Sequence, residues 1–212
     1  MIAAGAINRT RALAFGAVAA TAALLLCSTA ASLDAQSTAP DRLSLWLGAG
    51  GAIPLSQPAI DRKTGPAALA ALELAMTPRL SLRAELSGNM QDLSTRADGP
   101  ISGDVQQGRA SLAARFTPIT LGRVAPYVLA GAGWFWQSDR IVLTEISNPV
   151  PDANYRQTST QSSAGAILGA GATAPLARLR VFAEGRWTRV GAPDGPTTDL
   201  ALLAGVGLPL GR

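Results

Sequence analysis

Side chains able to do chemistry are few in this sequence of 212 residues, which has no histidine and one cysteine, Cys27. The absence of histidine excludes imidazole acid–base catalysis, a Ser-His triad and the common His/Cys zinc sites. We therefore predict no catalytic, cofactor-binding or metal-binding residue and no enzymatic activity. The remaining candidates for chemistry are charged residues in alternating patterns: Glu73, Arg83, Glu85, Arg109, Arg115, Arg180, Glu184 and Arg186.

Paired carboxylates are the arrangement in this charged set that could support acid–base chemistry, with Glu85 and Glu184 as partners. The set holds five arginines and three glutamates, and neighbouring positive charge keeps carboxylates ionised. We therefore interpret these residues as structural ion pairs and not as a catalytic site.

The elements that carry these charges are segments in which apolar and polar residues alternate. Within residues 80–90, Leu82 and Leu86 share one face and Arg83 and Glu85 share the other, because successive side chains of a strand point to opposite faces. Beyond the N-terminal region no useful length of sequence has the periodicity of an amphipathic helix. Eight strands are predicted, at residues 42–53, 67–77, 80–90, 107–117, 126–136, 162–173, 179–189 and 199–210.

The connections between these segments alternate in length. Short turns with proline or glycine are predicted at 77–79, 117–123 and 174–178. Long polar loops are predicted between them, at 54–66, 91–106, 138–161 and 191–198. The pattern indicates an all-β fold, an eight-stranded antiparallel up-and-down barrel with both termini on the side of the short turns.

Three features favour a transmembrane barrel with its apolar face outward. The strands are of the length that crosses an outer membrane. Glycines fall on the charged face, where they would make room for arginines in a narrow interior. Trp134, Trp136 and Trp187 lie on the apolar face near strand ends, as an interfacial aromatic girdle requires. The alternative is a soluble periplasmic barrel that binds an apolar ligand.

In a barrel with this orientation the charged set fills the interior. The tight turn at Pro78 places Glu73 opposite Arg83 or one step along from it. Two interpretations follow: a solid ion-paired plug, which we favour, and a gated polar lumen.

The N-terminal residues 1–35 read as a secretory signal. Arg9 and Arg11 form its positive region, an uncharged apolar stretch follows, and small residues lead to a cleavage site after Ala35, with Ala30 or Ala31 as alternatives. Residues 36–212 would form the barrel domain, exported and without cysteine. The net charge is only +4 and no basic run is present, so we predict no nucleic-acid partner.

The mature region resembles the small outer-membrane β-barrel family, with its OmpA/OmpX-type and opacity-type porin-like domains. The resemblance rests on degenerate motifs: Pro-Tyr-Val with glycine–apolar alternation at 126–134, and similar closing strands at 180–187 and 203–208. It implies residence in the bacterial outer membrane, a structural or surface-interaction role, and contact with outer-membrane lipid. Barrel-assembly machinery and periplasmic chaperones would be partners during biogenesis. The chain departs from the family in ending on Arg212 and not on an aromatic residue.

The predicted loop 138–161 is the longest and the best candidate for a surface partner. It contains an apolar run, Ile141–Leu143, followed by two prolines and Tyr155. Loops carry binding functions more often than the strands that hold them. The alternative is that the apolar run extends the hairpin above the membrane. We expect the protein to be a monomer.

Overall fold

The computed structural model describes residues 42–56, 61–94, 101–144, 154–191 and 196–210. The predicted signal segment 1–35 lies outside these ranges. Among the described residues, no helix is long and apolar enough to cross a membrane. The strands are β1 (Leu43–Pro54), β2 (Asp61–Arg62), β3 (Gly65–Ala75), β4 (Leu80–Ser94), β5 (Ile101–Phe116), β6 (Ala125–Thr144), β7 (Asn154–Leu176), β8 (Leu179–Val190) and β9 (Thr197–Pro209).

Eight long strands form one closed antiparallel barrel, and the two-residue β2 is a short extension of β3. Each long strand pairs with the next in the chain, β9 pairs with β1, and the two-residue β2 pairs with β4. The register with β4 shifts by one residue between β2 and β3. The two segments are therefore one strand of the barrel, interrupted by a β-bulge at Lys63 and Thr64. The predicted eight-stranded all-β fold is confirmed.

Barrel geometry follows from the register. If the paired residues are followed once around the barrel from Ser44 on β1, the path returns to β1 at Pro54. The register shift of the closed sheet is therefore ten residues. With a rise of ~3.3 Å per residue and a strand spacing of ~4.8 Å, this shift tilts the strands by about 40°. About ten residues of each tilted strand then span a ~25 Å apolar band.

The two ends of the barrel differ as predicted. The short turns at 76–79, 117–124 and 177–178 lie at one end, which we call the turn end, together with the start of β1 and the end of β9. The other end, the loop end, carries the long connections.

Two of the predicted loops are wrong over most of their length. β4 and β5 stay paired as far as Ser94 and Ser102, inside predicted loop 91–106, and β6 and β7 stay paired as far as Thr144 and Asn154, inside predicted loop 138–161. The alternation of apolar and polar residues is lost there because most residues on both faces are polar and the apolar residues 141–143 are consecutive, although the backbone pairing continues. The apolar run therefore extends the hairpin, which is the alternative interpretation of loop 138–161.

The outer surface is apolar near the turn end and polar near the loop end. On β6 the outward residues run from Val128 to Trp134 and Trp136, and the next outward residue is Ser138. Trp134 is 55% exposed and Leu112, near the middle of β5, is 53% exposed. Trp187 shares the outward face of β8. The tryptophans thus mark the upper boundary of an apolar belt.

Neighbouring residues on β5 provide a test of this orientation. Leu112→Arg should lower barrel stability in bilayers by about 2–4 kcal/mol if the residue faces hydrocarbon, whereas Leu112→Trp should change it little because lipid moves aside. Ala113, which is 1% exposed and points inward, should reject even leucine at a cost of about 1–3 kcal/mol. Urea unfolding in lipid vesicles measures all three variants. Similar losses for Leu112→Trp and Ala113→Leu would contradict the assignment of the two faces.

Candidate functional site

The barrel interior holds a closed ion-pair cluster of four side chains, two from β4 and two from β8. Glu85 lies 3.1 Å from the Arg83 Nε atom and 2.6 Å from an Arg186 nitrogen. Glu184 lies 3.0 Å from Arg83 and also pairs with Arg186. All four side chains have no solvent exposure. We refer to these residues as the central quartet.

The quartet forms because strand alternation puts residues two apart on the same face. Arg83 and Glu85 are two residues apart on β4, and Glu184 and Arg186 are two residues apart on β8. The two strands lie across the barrel from each other, so their long side chains meet at its axis. Two positive and two negative charges balance, and their mutual attraction offsets the desolvation cost of burying them.

Hydroxyl groups complete the coordination of the two carboxylates. The Tyr127 hydroxyl donates to Glu184 at 2.7 Å, and the Ser111 hydroxyl donates to Glu85 at 3.2 Å. Glu184 therefore accepts hydrogen bonds from two arginines and one hydroxyl. Glu85 accepts from Arg186 and Ser111, and its contact with the Arg83 Nε atom is an ion pair without a hydrogen bond. Both carboxylates lie between guanidinium groups and away from solvent, as the interpretation of these residues as structural ion pairs requires.

A second ion pair lies nearer the turn end. Arg115 on β5 donates to both oxygens of Glu73 on β3, at 2.9 and 3.0 Å. Its guanidinium carbon lies 4.0 Å from the centre of the Tyr127 ring and 5.1 Å from that of Trp46. Glu73 is opposite Arg83 in the strand register, as predicted, but its ion-pair partner is Arg115.

Interior glycines accommodate aromatic rings, not the arginines that we predicted. A Cβ atom at Gly207 would lie 2.7 Å from the Trp46 ring, and one at Gly48 would lie 2.6 Å from the Phe182 ring. The two rings meet edge to face at 5.6 Å. Arginine then stacks on the rings, with the Arg83 guanidinium 5.6 Å from the centre of Trp46.

The loop end of the interior is polar and includes the charged side chains of Arg109 and Asp199. Arg109 donates to the hydroxyls of Ser87 and Thr188, the latter at 2.8 Å. Above it, Gln107 contacts Asn89 at 3.1 Å and Gln137 at 2.9 Å. A cavity of about 20 Å³ lies below this layer and has room for about one water molecule. It is lined in part by Ser87, Asn89, Gln107, Arg109, Thr188 and Asp199.

Seven of the eight predicted interior charges lie in the barrel as expected. Arg180 is the exception: it is exposed near the turn end of β8. Sequence reasoning assigned no role to Tyr127, although its position two residues before Leu129 puts it on the inward face of β6. Among the described residues, no group of three acidic or cysteine side chains is arranged to hold a metal ion.

The fold matches solved membrane barrels. No protein-family model and no curated protein matches the sequence. The structure of Neisserial surface protein A (NspA) aligns over 79% of this chain and 95% of its own, at 15% identity and a TM-score of 0.51. A major outer membrane protein of Thermus thermophilus aligns over 78% and 98%, at 16% identity and a TM-score of 0.51.

The fold is that of a small outer-membrane β-barrel. At these identities the likeness extends to architecture: a single barrel of this size accounts for nearly the whole of both matched chains. The likeness identifies no ligand of this chain and no role for any of its residues.

The central quartet predicts a strong energetic coupling between Glu85 and Arg186. Glu85→Gln leaves two buried arginines facing one carboxylate and should cost about 3–5 kcal/mol of stability. Adding Arg186→Met restores the balance of charge, so the double variant should lose clearly less than the sum of the single losses. Urea unfolding in vesicles measures the cycle. Arg180→Met, at an exposed position, is the control and should change stability by less than about 0.5 kcal/mol. Additive losses would show that the quartet is not a coupled unit.

Proposed function

We propose that the protein is an integral barrel of the bacterial outer membrane with a structural or surface-interaction role and no catalytic activity. The observation that carries the proposal is the distribution of polarity. Apolar side chains such as Leu112 and Leu168 are about half exposed on the outside, while buried ion pairs occupy the inside. A water-soluble barrel requires the reverse arrangement.

The ion-paired interior also argues against solute passage. The quartet closes the barrel at its axis, and rings such as Trp46 and Phe182 pack beside it. Of the two predicted interpretations, the solid plug fits this packing and the gated lumen does not. The alternative of a soluble barrel requires an apolar cavity for its ligand, whereas the described interior is filled by ion pairs and by packed side chains.

Export through the predicted signal 1–35 would deliver the chain to the periplasm. Assembly machinery would then insert it with outer-membrane lipid around the belt. The loop end would face outside the cell, where the β4–β5 and β6–β7 hairpins rise above the belt. These hairpins are the parts of the chain that a surface partner would meet.

Membrane integration can be tested by carbonate extraction of envelope fractions. The mature protein should stay with the outer-membrane pellet, because its apolar belt cannot be transferred to water at high pH. A peripheral protein of the same envelope serves as the control and should be released. Recovery of this protein in the supernatant would favour a soluble periplasmic barrel.

Orientation can be tested with single cysteines at the two ends of the barrel. Thr160 on the raised part of β7 and Arg79 in the first short turn are both exposed. An impermeant thiol reagent should label Thr160→Cys on intact cells and should reach Arg79→Cys only after the outer membrane is disrupted. Labelling of Arg79→Cys alone on intact cells would reverse the topology.

A further inference from the structure

The turn end of the barrel carries an exposed arginine at each of its connections. One arginine lies in each of the three short turns, one lies directly before β1 and one lies at the start of β8: Arg42, Arg79, Arg123, Arg178 and Arg180. Together these exposed residues exceed the net charge of the whole chain, which is +4. The excess positive charge of the protein therefore lies at this end.

Four of these arginines are evenly spaced around the barrel. They precede β1, β4, β6 and β8, and each of these strands lies two strands from the next around the closed sheet. With a strand spacing of ~4.8 Å, neighbouring members start from backbone positions about 10 Å apart. We call these residues the arginine ring: Arg42, Arg79, Arg123 and Arg178.

The described part of the turn end offers the arginine ring no free carboxylate. The carboxylate that comes nearest to this end along its strand is that of Glu73, which is buried in its ion pair with Arg115. Asp41 and Arg212, which are next to the turn end in the sequence, lie outside the described residues. The described structure thus leaves the positive charge of the ring without an internal counter-charge.

The loop end has no such separation of charge. Lys63 and Arg189 are exposed there, but Asp92 and Asp104 lie opposite each other on the same outer surface. Because cations and carboxylates are mixed at the loop end, the concentration of positive charge is a property of the turn end and not of the surface in general.

Large apolar side chains accompany the arginines of the three turns. Each turn has one that is more than half exposed, two or three residues before its arginine: Met76, Leu121 and Leu176. An apolar group beside a guanidinium suits a membrane interface, because the apolar group enters the acyl region while the charge reaches the headgroups. A water-soluble acidic partner would leave these apolar groups in water. The occupant that fits both features is therefore lipid.

The backbone of the β5–β6 turn fixes the position of its arginine. Leu121 and Val124 exchange two backbone hydrogen bonds, of 2.7 and 3.0 Å, around Gly122 and Arg123. Gly122 has a φ of 61°, which a glycine adopts without strain. Arg123 therefore extends from an ordered turn, so less conformational entropy is lost when it binds a ligand.

Arginine distinguishes anionic from zwitterionic headgroups through charge. A guanidinium donates to two phosphate oxygens at once, and every phospholipid headgroup offers a phosphate. A zwitterionic headgroup also carries a cation, for which the described turn end has no free carboxylate. An anionic headgroup lacks that cation, and each arginine near an anionic lipid surface contributes about fivefold to binding.

We propose that the arginine ring binds anionic phospholipid headgroups in the leaflet that surrounds the turn end. The phosphates lie on the guanidinium groups, and the acyl chains contact the apolar side chains of the same turns. The inference rests on the proposed membrane function, for which it names the class of lipid bound at this end of the barrel. In the proposed orientation this leaflet is the periplasmic one.

The test uses the full mature chain folded in detergent micelles, with bound lipids counted by native mass spectrometry. Phosphatidylglycerol and phosphatidylethanolamine with the same acyl chains are added in equal amounts. Phosphatidylglycerol should be retained about fivefold more tightly, with about four molecules held per barrel, one for each member of the arginine ring.

Two double variants that remove the same charge separate a local site from a general effect of charge. Arg79→Gln with Arg123→Gln should reduce the tightly held phosphatidylglycerol to about two molecules, because half of the ring is lost. Lys63→Gln with Arg189→Gln, at the loop end, should leave about four molecules bound.

The other half of the ring provides an independent variant. Arg42→Gln with Arg178→Gln should give the same reduction as the first turn-end pair, so the test does not depend on the folding of one variant. Soluble glycerol phosphate, at the same concentration as the lipid, should displace no phosphatidylglycerol, since it has no acyl chains to contact the apolar side chains of the turns.

Three results would overturn the proposal: equal retention of the two lipids, equal reduction by the turn-end and loop-end variants, or displacement of phosphatidylglycerol by glycerol phosphate. Because lipids are counted on the folded barrel in micelles, these results leave the membrane assignment intact. Release of the protein by carbonate extraction would contradict the membrane assignment instead.

Discussion

A strand surrounded by hydrocarbon must have every backbone N–H and C=O paired within the protein, since no water is available to replace a missing partner. The pairing of β9 with β1 satisfies this condition by closing the sheet. Closure with eight strands and a ten-residue register shift fixes a narrow interior. The composition of the inward and outward faces follows from that geometry, because one face meets lipid and the other must fill a space about two side chains wide.

The interior meets this demand with ion pairs and aromatic rings, packed together with aliphatic side chains such as Leu129 and Leu203. Arg83 links the two parts, since it pairs with Glu184 and also lies over the Trp46 and Phe182 rings. Glycines such as Gly207 leave the space that these rings occupy. A chain with such an interior has buried charges at the barrel axis, where a soluble barrel has its apolar core. Its apolar area is largely on the outside, so the bilayer takes the place that a hydrophobic core has in a soluble protein.

The loop-end part of β7, residues 154–163, marks the limit of the same rule. Below Gly165 the strand is paired on both sides, as lipid requires, and above it water can satisfy the groups that β8 leaves unpaired. An unpaired strand edge is therefore possible only in the part of β7 that lies above the membrane, where water is available.

Period-two alternation predicted the strand count, the inward and outward faces and the turn end, because one face had to be apolar in every membrane-crossing segment. It failed above the belt, at 138–144 and 154–161, where polar residues predominate on both faces and the one apolar run, 141–143, does not alternate. Residue type also predicted that Arg115 and Glu73 lie inside, but not that they pair with each other. That contact spans β3 to β5 and depends on side-chain reach across the barrel. The role of the glycines was wrong for a related reason: Gly207 and Trp46 meet through register, which only the sheet reveals.

The polarity of this barrel is inverted relative to that of a soluble protein, with lipid outside and ion pairs inside. Tryptophan quenching by brominated lipid tests this most directly, since the inward Trp46 has no solvent exposure and the outward Trp134 is 55% exposed. Two single-tryptophan variants, each with the other three tryptophans changed to phenylalanine, are folded into vesicles of brominated and ordinary lipid. Bromine on the acyl chains should strongly quench Trp134 and leave Trp46 nearly unquenched. Equal quenching, or stronger quenching of Trp46, would contradict the account.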